Sequence, residues 1–174
     1  MLFCLFTPQT KARSADKALK NLINKNLIFN STKEEISKEI NIVRFRNNKA
    51  TYFVEAREKY FKNGNFLLKD LIYSNSNIFD LRNWLAENIK GYGYKEASHF
   101  LRNIGLYREI SILDRHILKN LVKYNVIDNI PKSLSRRNYE FIEQKMTTWA
   151  KEINIPMSHL DFLLWYKEAG EIFK

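Results

Sequence analysis

The chain has 174 residues, of which 45% are hydrophobic and 14% aromatic, a composition that supports a packed core and excludes an intrinsically disordered chain. Lysine and arginine outnumber aspartate and glutamate by 29 to 19, so the formal net charge is +10. This balance favours a polyanionic partner, either nucleic acid or an anionic membrane surface, although an AT-rich genome or a thermophilic origin also gives a lysine-rich composition.

Cysteine and histidine usage argues against a metal site. Cys4 is the single cysteine, which excludes a disulfide framework, a zinc ribbon and a cysteine-ligated iron–sulfur cluster. His99, His116 and His159 lack the spacing of a metal-binding motif. The sequence therefore predicts no metal and no cofactor.

The chain opens on an apolar run, MLFCLF, which is too short to span a bilayer and follows no basic leader. We therefore expect neither a transmembrane helix nor a signal peptide. No predicted helix separates basic and aromatic residues onto opposite faces, as a membrane-surface helix would. These features predict an intracellular, cytoplasmic and nucleoid-associated protein without a membrane partner.

Apolar residues recur at three- and four-residue spacing along almost the whole chain, with five glycines and three prolines in total. This pattern predicts an all-α fold. The predicted helices, in chain order, cover residues 1–6, 15–27, a short segment after 31, then 48–62, 65–74, 81–89, 95–103, 115–124, 136–153 and 159–173.

Several of these helices have recognisable start and stop signals. Ser31 and Glu34 have the spacing of a capping box, and Asn63-Gly64 is suited to a left-handed C-terminal cap. Other helices are preceded by residues whose side chains cap helix N-termini: Asp80, Asp114, Ser135 and Ser158.

The most informative stretch is IKGYGYKEAS, in which Gly91 and Gly93 form a tight turn between two helices. Glycines allow the backbone to approach another object closely, and the N–H groups that begin the second helix then bind anions such as a DNA phosphate. A dinucleotide-binding loop would need a preceding strand and a third glycine, where Glu96 stands. A P-loop would need Ser or Thr directly after the lysine.

This hairpin resembles that of the helix-hairpin-helix DNA glycosylase superfamily, and the run HFLRNIG…ILDRHIL resembles the archaeal type of 8-oxoguanine DNA glycosylase/AP lyase. The resemblance covers nearly the whole chain. It implies two helical lobes around a DNA-binding cleft, in a single domain over residues 1–174 with its hairpin at about 81–104. Relative to the family, we expect the domain to be shortened at its N-terminus.

The resemblance assigns the chemistry to Lys95, directly after the hairpin, and to Asp114, 19 positions later. In the family the lysine attacks the anomeric carbon and forms a Schiff base, and the aspartate assists. An amine attacks only when unprotonated, so we expect the start of a helix and partial burial to lower the pKa of Lys95. As a cap, Asp114 would stay ionised and oriented towards the positive charge that develops on the sugar.

The resemblance also indicates how the duplex is held. Gln9 occupies the position from which superfamily members place a polar side chain into the emptied base stack. Lys11, Arg13 and Arg115 are candidates for contacts to phosphates. The predicted partner is damaged double-stranded DNA, bound by a monomer.

For the flipped base, the resemblance points to the C-terminal helix. Asp161 would accept hydrogen bonds from the Watson–Crick edge, Trp165 would stack on the ring, and the terminal Lys174 would help to distinguish 8-oxoguanine from guanine. Tyr52 or Phe53 would supply a second stacking face, and the sequence does not choose between them. Two alternatives remain at this stage: a DNA-binding module without catalysis, and a glycosylase for another oxidised base.

Overall fold

The protein, described here from a computed structural model over residues 1–171, is all-α as predicted. The helices of this part of the chain are α1 Leu2–Phe6, α2 Ala12–Asn24, α3 Leu27–Asn30, α4 Lys33–Glu39, α5 Arg46–Tyr60, α6 Leu68–Ser74, α7 Ile78–Asn88, α8 Tyr94–Asn103, α9 Arg115–Lys123, α10 Arg136–Glu152 and α11 Met157–Ala169. None of these helices is both long and apolar enough to cross a membrane.

A two-stranded antiparallel hairpin, β1 Phe61–Lys62 and β2 Asn65–Phe66, follows α5. Its turn is Asn63-Gly64, with φ of 51° and 79°. The predicted C-terminal cap at this pair is therefore wrong: two consecutive left-handed residues also suit a tight hairpin turn, and the chain adopts that alternative.

The chain divides into two compact units, one from Met1 to Glu96 and one from Ala97 onward. In the first unit, α5 packs against α1 and α4. The aromatic rings of Phe6 and Phe53 stack in its core with centroids 6.3 Å apart, and both side chains are fully buried. The buried residues of α5 recur every three or four positions and include one charged residue, Lys49.

In the second unit, α11 packs against both α9 and α10. Its core is formed by apolar side chains that are nearly inaccessible to solvent, among them Leu101, Leu113, Ile117, Leu121, Met146 and Leu160. The apolar periodicity of these helices therefore corresponds to a buried face, as the sequence predicted.

Several predicted helix boundaries shift, among them those of α4, α7 and α11. The capping box forms one residue later than predicted, with Thr32 and Glu35 exchanging side-chain and backbone hydrogen bonds. Helix α7 begins before Asp80, because Asn77 accepts the N–H groups of its first turn. Helix α11 begins at Met157, before Ser158, and ends at a left-handed Gly170, earlier than predicted.

Candidate active site

In the glycine turn between α7 and α8, the backbone at Gly91 lies close to side chains of α5 and α1. Gly91 has φ +88°, and a Cβ atom on it would lie 2.6 Å from Cδ2 of Tyr52 and 3.0 Å from Cδ1 of Leu5. No side chain fits there without displacing both neighbours. Two features therefore require a glycine at position 91: the left-handed backbone conformation and the close packing of Tyr52 against the hairpin.

Gly93 directly precedes α8, and its N–H donates to Oε2 of Glu96 at 3.2 Å. This is the side-chain half of a capping box, in which the third helical residue reaches back to the residue before the helix. The Gly93 N–H is thus bound within the protein. Glu96, at the position where the sequence lacks a third glycine, holds the start of α8 in place.

Lys95 is the second residue of α8, and its side chain is 23% exposed. Its Nζ atom lies 2.7 Å from Oε1 of Glu96. One carboxylate therefore joins the hairpin backbone and the lysine amine. The sequence placed Lys95 correctly at a helix start but missed its partner, although the spacing of Gly93 and Glu96 is that of a capping box.

The two aromatic candidates on α5 differ in environment. Phe53 is fully buried in the core of the first unit. Tyr52 is partly exposed, lies against Gly91 and has the Nζ of Lys90 at 5.6 Å from its ring centroid. Of the two, only Tyr52 has a face outside the core.

Gln9 is exposed at the tip of the turn between α1 and α2, with φ 53°. Beneath this turn lies Lys49, which is 4% exposed and which sequence reasoning missed. Its Nζ donates to the carbonyl oxygens of Phe6 and Pro8, both at 2.7 Å, and to Oγ1 of Thr10 at 3.2 Å. Three acceptors match the three donors of an ammonium group.

Burial lowers the pKa of Lys49 to about 8, and the positive charge of Lys95 adds to this effect, while Glu96 opposes it. The amine that holds the Gln9 turn is therefore linked electrostatically to the predicted nucleophile. Lys11, which precedes α2, and Arg13, in its first turn, are both exposed.

In the second unit, Asp114 is the N-cap of α9, as predicted. Its Oδ1 accepts the backbone N–H groups of His116 at 2.8 Å and Ile117 at 3.0 Å. These bonds fix the carboxylate, and Arg115 next to it is exposed.

Buried hydrogen bonds from α10 anchor the segment that leads to Asp114. Glu143 accepts the N–H of Ser111 at 2.8 Å, and the hydroxyl of Tyr139 donates to the Ser111 carbonyl at 2.8 Å. The hydroxyl of Tyr139 also accepts the N–H of Leu113 at 3.2 Å. Both α10 side chains are at most 4% exposed. Sequence reasoning did not identify them, because the partners are 26 to 32 residues apart.

Asp161 is 2% exposed and forms a 2.8 Å ion pair with Nη1 of Arg102. In this arrangement the Asp161 carboxylate neutralises the buried positive charge of Arg102. Trp165, one turn further along α11, packs edge-on against the ring of His116 with centroids 4.8 Å apart. Lys174 lies outside the described residues. Within residues 1–171, no cluster of three or more His, Cys, Asp or Glu side chains is arranged to hold a metal ion.

Sequence comparison identifies a protein family and several relatives that the chain matches. Residues 1–155 match the profile of the family described as 8-oxoguanine DNA glycosylase. The 8-oxoguanine DNA glycosylase/AP lyase of Fusobacterium nucleatum is 52% identical over 172 residues, which are 99% of this chain and 79% of the relative. The protein of the same name from Methanocaldococcus jannaschii is 40% identical over 176 residues, covering 100% of this chain and 81% of the relative.

Solved structures agree with the sequence comparison. A crystal structure of the Methanocaldococcus jannaschii 8-oxoguanine glycosylase/lyase, in complex with a 15mer DNA containing 8-oxoguanine, matches with a TM-score of 0.87 at 39% identity, covering 99% of this chain and 80% of that one. The 8-oxoguanine DNA glycosylase of Thermotoga maritima matches with a TM-score of 0.85 at 30% identity, with coverage of 99% and 79%.

Proposed function

The chain belongs to the 8-oxoguanine DNA glycosylase family, and from this we propose that it excises 8-oxoguanine from double-stranded DNA and then cleaves the strand as an AP lyase. The observation that carries the proposal is Lys95, a partly buried amine on the first turn of the helix that follows the glycine hairpin. A lysine in this position serves both halves of the activity, because the same nitrogen displaces the base and becomes the Schiff base.

Lys95 acts as the nucleophile. Its neutral amine attacks C1′ of the damaged nucleotide, the bond from C1′ to the base breaks, and the base leaves with the electron pair and takes up a proton. The amine then loses one proton, the C1′–O4′ bond breaks with O4′ taking up a proton, and the sugar ring opens to an iminium ion. Removal of a proton from C2′ then expels the 3′-phosphate by cleavage of its C3′–O bond, which is the lyase step.

The resting contact of Lys95 with Glu96 bears on the first step. The Nζ of Lys95 lies 2.7 Å from the carboxylate of Glu96, and only a neutral amine is nucleophilic. Attack therefore requires the amine to separate from Glu96 and to be neutral.

Asp114 stabilises the positive charge that develops on the sugar as the glycosidic bond breaks. Two backbone N–H groups fix its Oδ1, so the carboxylate needs no reorganisation during the reaction. The buried bonds of Tyr139 and Glu143 support the segment that presents it.

Base recognition uses stacking in each unit. We assign the stacking role on α5 to Tyr52 in preference to the buried Phe53, and the role on α11 to Trp165. Asp161 contributes through its bond to Arg102, and a direct contact to the base would require that bond to rearrange. The role of Lys174, monomeric action and nucleoid association stay predictions from the sequence.

Borohydride trapping tests the proposal. Reduction of the Schiff base on a duplex that contains 8-oxoguanine should leave a covalent protein–DNA adduct with the wild-type chain and none with Lys95→Gln. Lys20→Gln is the matched control, since Lys20 is 68% exposed on α2, and it should form the adduct normally.

Asp114→Asn refines the same experiment. Asparagine caps a helix about as well as aspartate, so we expect an unchanged melting temperature and excision slowed about 100-fold or more. A wild-type chain that binds DNA without any adduct would identify a non-catalytic binding module. An adduct confined to duplexes with oxidised pyrimidines would overturn the assignment of the lesion.

A further inference from the structure

Residues 110–113, which lie between α8 and α9 in the second unit, are buried but belong to no helix or strand. Buried backbone groups without such partners need side chains to bind them. In this segment the N–H of Ser111 donates to Glu143 at 2.8 Å, and the N–H of Leu113 donates to the hydroxyl of Tyr139 at 3.2 Å. Two side chains of α10 therefore replace the hydrogen bonds that a helix or strand would provide.

The hydroxyl of Tyr139 also contacts a second element. Its oxygen lies 3.3 Å from Oγ of Ser98 on α8, and neither side chain has any exposed surface. A phenol donates through its O–H and accepts through its oxygen, and a serine hydroxyl can do either. The Ser111 carbonyl takes the O–H at 2.8 Å and the Leu113 N–H donates to the oxygen, so Ser98 completes the set. One buried oxygen thus joins α8 to the segment before Asp114, an arrangement we call the Tyr139 bridge.

Both elements joined by this bridge carry a residue of the proposed chemistry. Lys95 precedes Ser98 by about one turn of α8, and Asp114 follows Leu113 directly. The N–H of Asp114 donates back to the carbonyl of Ile112 at 2.8 Å, so a shift of the segment moves the aspartate as well. A displacement of about 1 Å at catalytic groups can slow a reaction about 100-fold. The bridge therefore bears on the rate of the reaction.

We propose that Tyr139 is a positioning residue for the excision reaction, whose hydroxyl fixes α8, the helix that carries Lys95, to the segment that ends at Asp114. This inference rests on the proposed function and adds to it a link between the two elements that carry the chemistry. Because Tyr139 is fully buried, it acts through these elements and not on the substrate. Its bonds form within the protein without any contribution from DNA, so the two elements need no ordering during the reaction.

Single-turnover excision of 8-oxoguanine by saturating protein tests this role, because it separates positioning from folding. Partial unfolding leaves the rate constant unchanged as long as folded protein saturates the DNA, whereas misplaced catalytic groups lower it. Tyr139→Phe keeps the buried ring and removes the hydroxyl. We expect its rate constant to fall about tenfold or more, with an unchanged affinity for a duplex that contains a stable abasic analogue.

Two further variants address the bridge from its other side and from the same helix. Ser98→Ala removes the bond at α8 and should slow excision about threefold or more. Combined with Tyr139→Phe, it should slow the reaction no further than Tyr139→Phe does, because both changes break the same bridge. Ile142→Val is the control, since it removes a buried methyl group from α10. Its melting temperature should fall while its rate constant stays that of the wild-type protein.

Amide hydrogen exchange provides a readout that needs no chemistry by the protein. The N–H of Leu113 should exchange about tenfold faster in Tyr139→Phe, because its acceptor is lost, and should exchange normally in Ile142→Val.

A wild-type rate constant in Tyr139→Phe or Ser98→Ala, equal slowing by Ile142→Val, or unchanged exchange at Leu113 in Tyr139→Phe would overturn the inference. A wild-type protein that neither excises the base nor forms a borohydride adduct, while Tyr139→Phe still shows the faster exchange, contradicts the proposed function alone.

Discussion

The buried amine of Lys49 makes a sharp prediction about stability. Replacement by methionine keeps the length of the side chain but removes three hydrogen bonds, leaving the carbonyls of Phe6 and Pro8 and the hydroxyl of Thr10 without this donor. Buried acceptors that lose a charged donor are costly. At pH 7 we expect Lys49→Met to lower the free energy of unfolding by about 2 kcal/mol or more.

The deficit should grow with pH. The pKa of Lys49 falls from 10.5 in the unfolded chain to about 8 in the folded protein. Between these values the unfolded chain holds a proton that the folded protein has released, so the stability of the wild-type protein rises with pH relative to methionine. The shift of about 2.5 pH units corresponds to roughly 3 kcal/mol in total, of which about 2.5 kcal/mol falls between pH 7 and pH 10.

Urea unfolding of both proteins at pH 7, 8, 9 and 10 measures this difference. Lys90→Met is the control, because the hydrogen bond and ion pair with Glu55 raise the pKa of Lys90. Its deficit should therefore stay nearly constant from pH 7 to 10, because the stability that a raised lysine pKa contributes is lost only above the unfolded value of 10.5. A deficit of Lys49→Met that stays constant or shrinks over this range would refute the reasoning.

Two further predictions concern stability. Gly91→Ala should lower the free energy of unfolding by about 2 kcal/mol or more, and clearly by more than Gly105→Ala does. Both glycines have positive φ, but only Gly91 has a neighbour, Tyr52, within 3 Å of the added Cβ. Equal melting temperatures would contradict this prediction. Arg102→Met should lower the free energy of unfolding by about 3–5 kcal/mol, because it removes the counter-charge of the buried Asp161. The double variant with Asp161→Leu should recover most of this loss in urea unfolding. A double variant that does not recover would show that the ion pair itself stabilises the fold.

Sequence reasoning succeeded where the signal is local. The all-α fold, the glycine hairpin and the start of α8 beside Lys95 depend on residues within a few positions of each other. The cap at Asp114 is equally local, because its carboxylate binds N–H groups two and three residues ahead. The family assignment is confirmed for the same reason, since it depended on a contiguous string.

It failed where one local pattern allows two structures. Asn63-Gly64 permits two consecutive left-handed residues, which suit both a helix end and a hairpin turn, and the pairing of Phe61 with Phe66 decides between them. Similarly, Ser31 and Thr32 are both capping residues, and each has a glutamate three positions later. The chain uses Thr32, while Ser31 donates to the carbonyl of Leu27.

Lys49 marks a different limit, because nothing in NNKATYF distinguishes its lysine from a solvated one. Its burial depends on acceptors about 40 residues earlier in the chain, in a turn whose own conformation depends on that lysine. Lys95, in contrast, is identified by its immediate neighbours. The residues that sequence analysis finds are thus those whose role depends on local backbone geometry, whereas the residues that hold the site together, such as Lys49 and Tyr139, are defined by long-range contacts and emerge only from the folded chain.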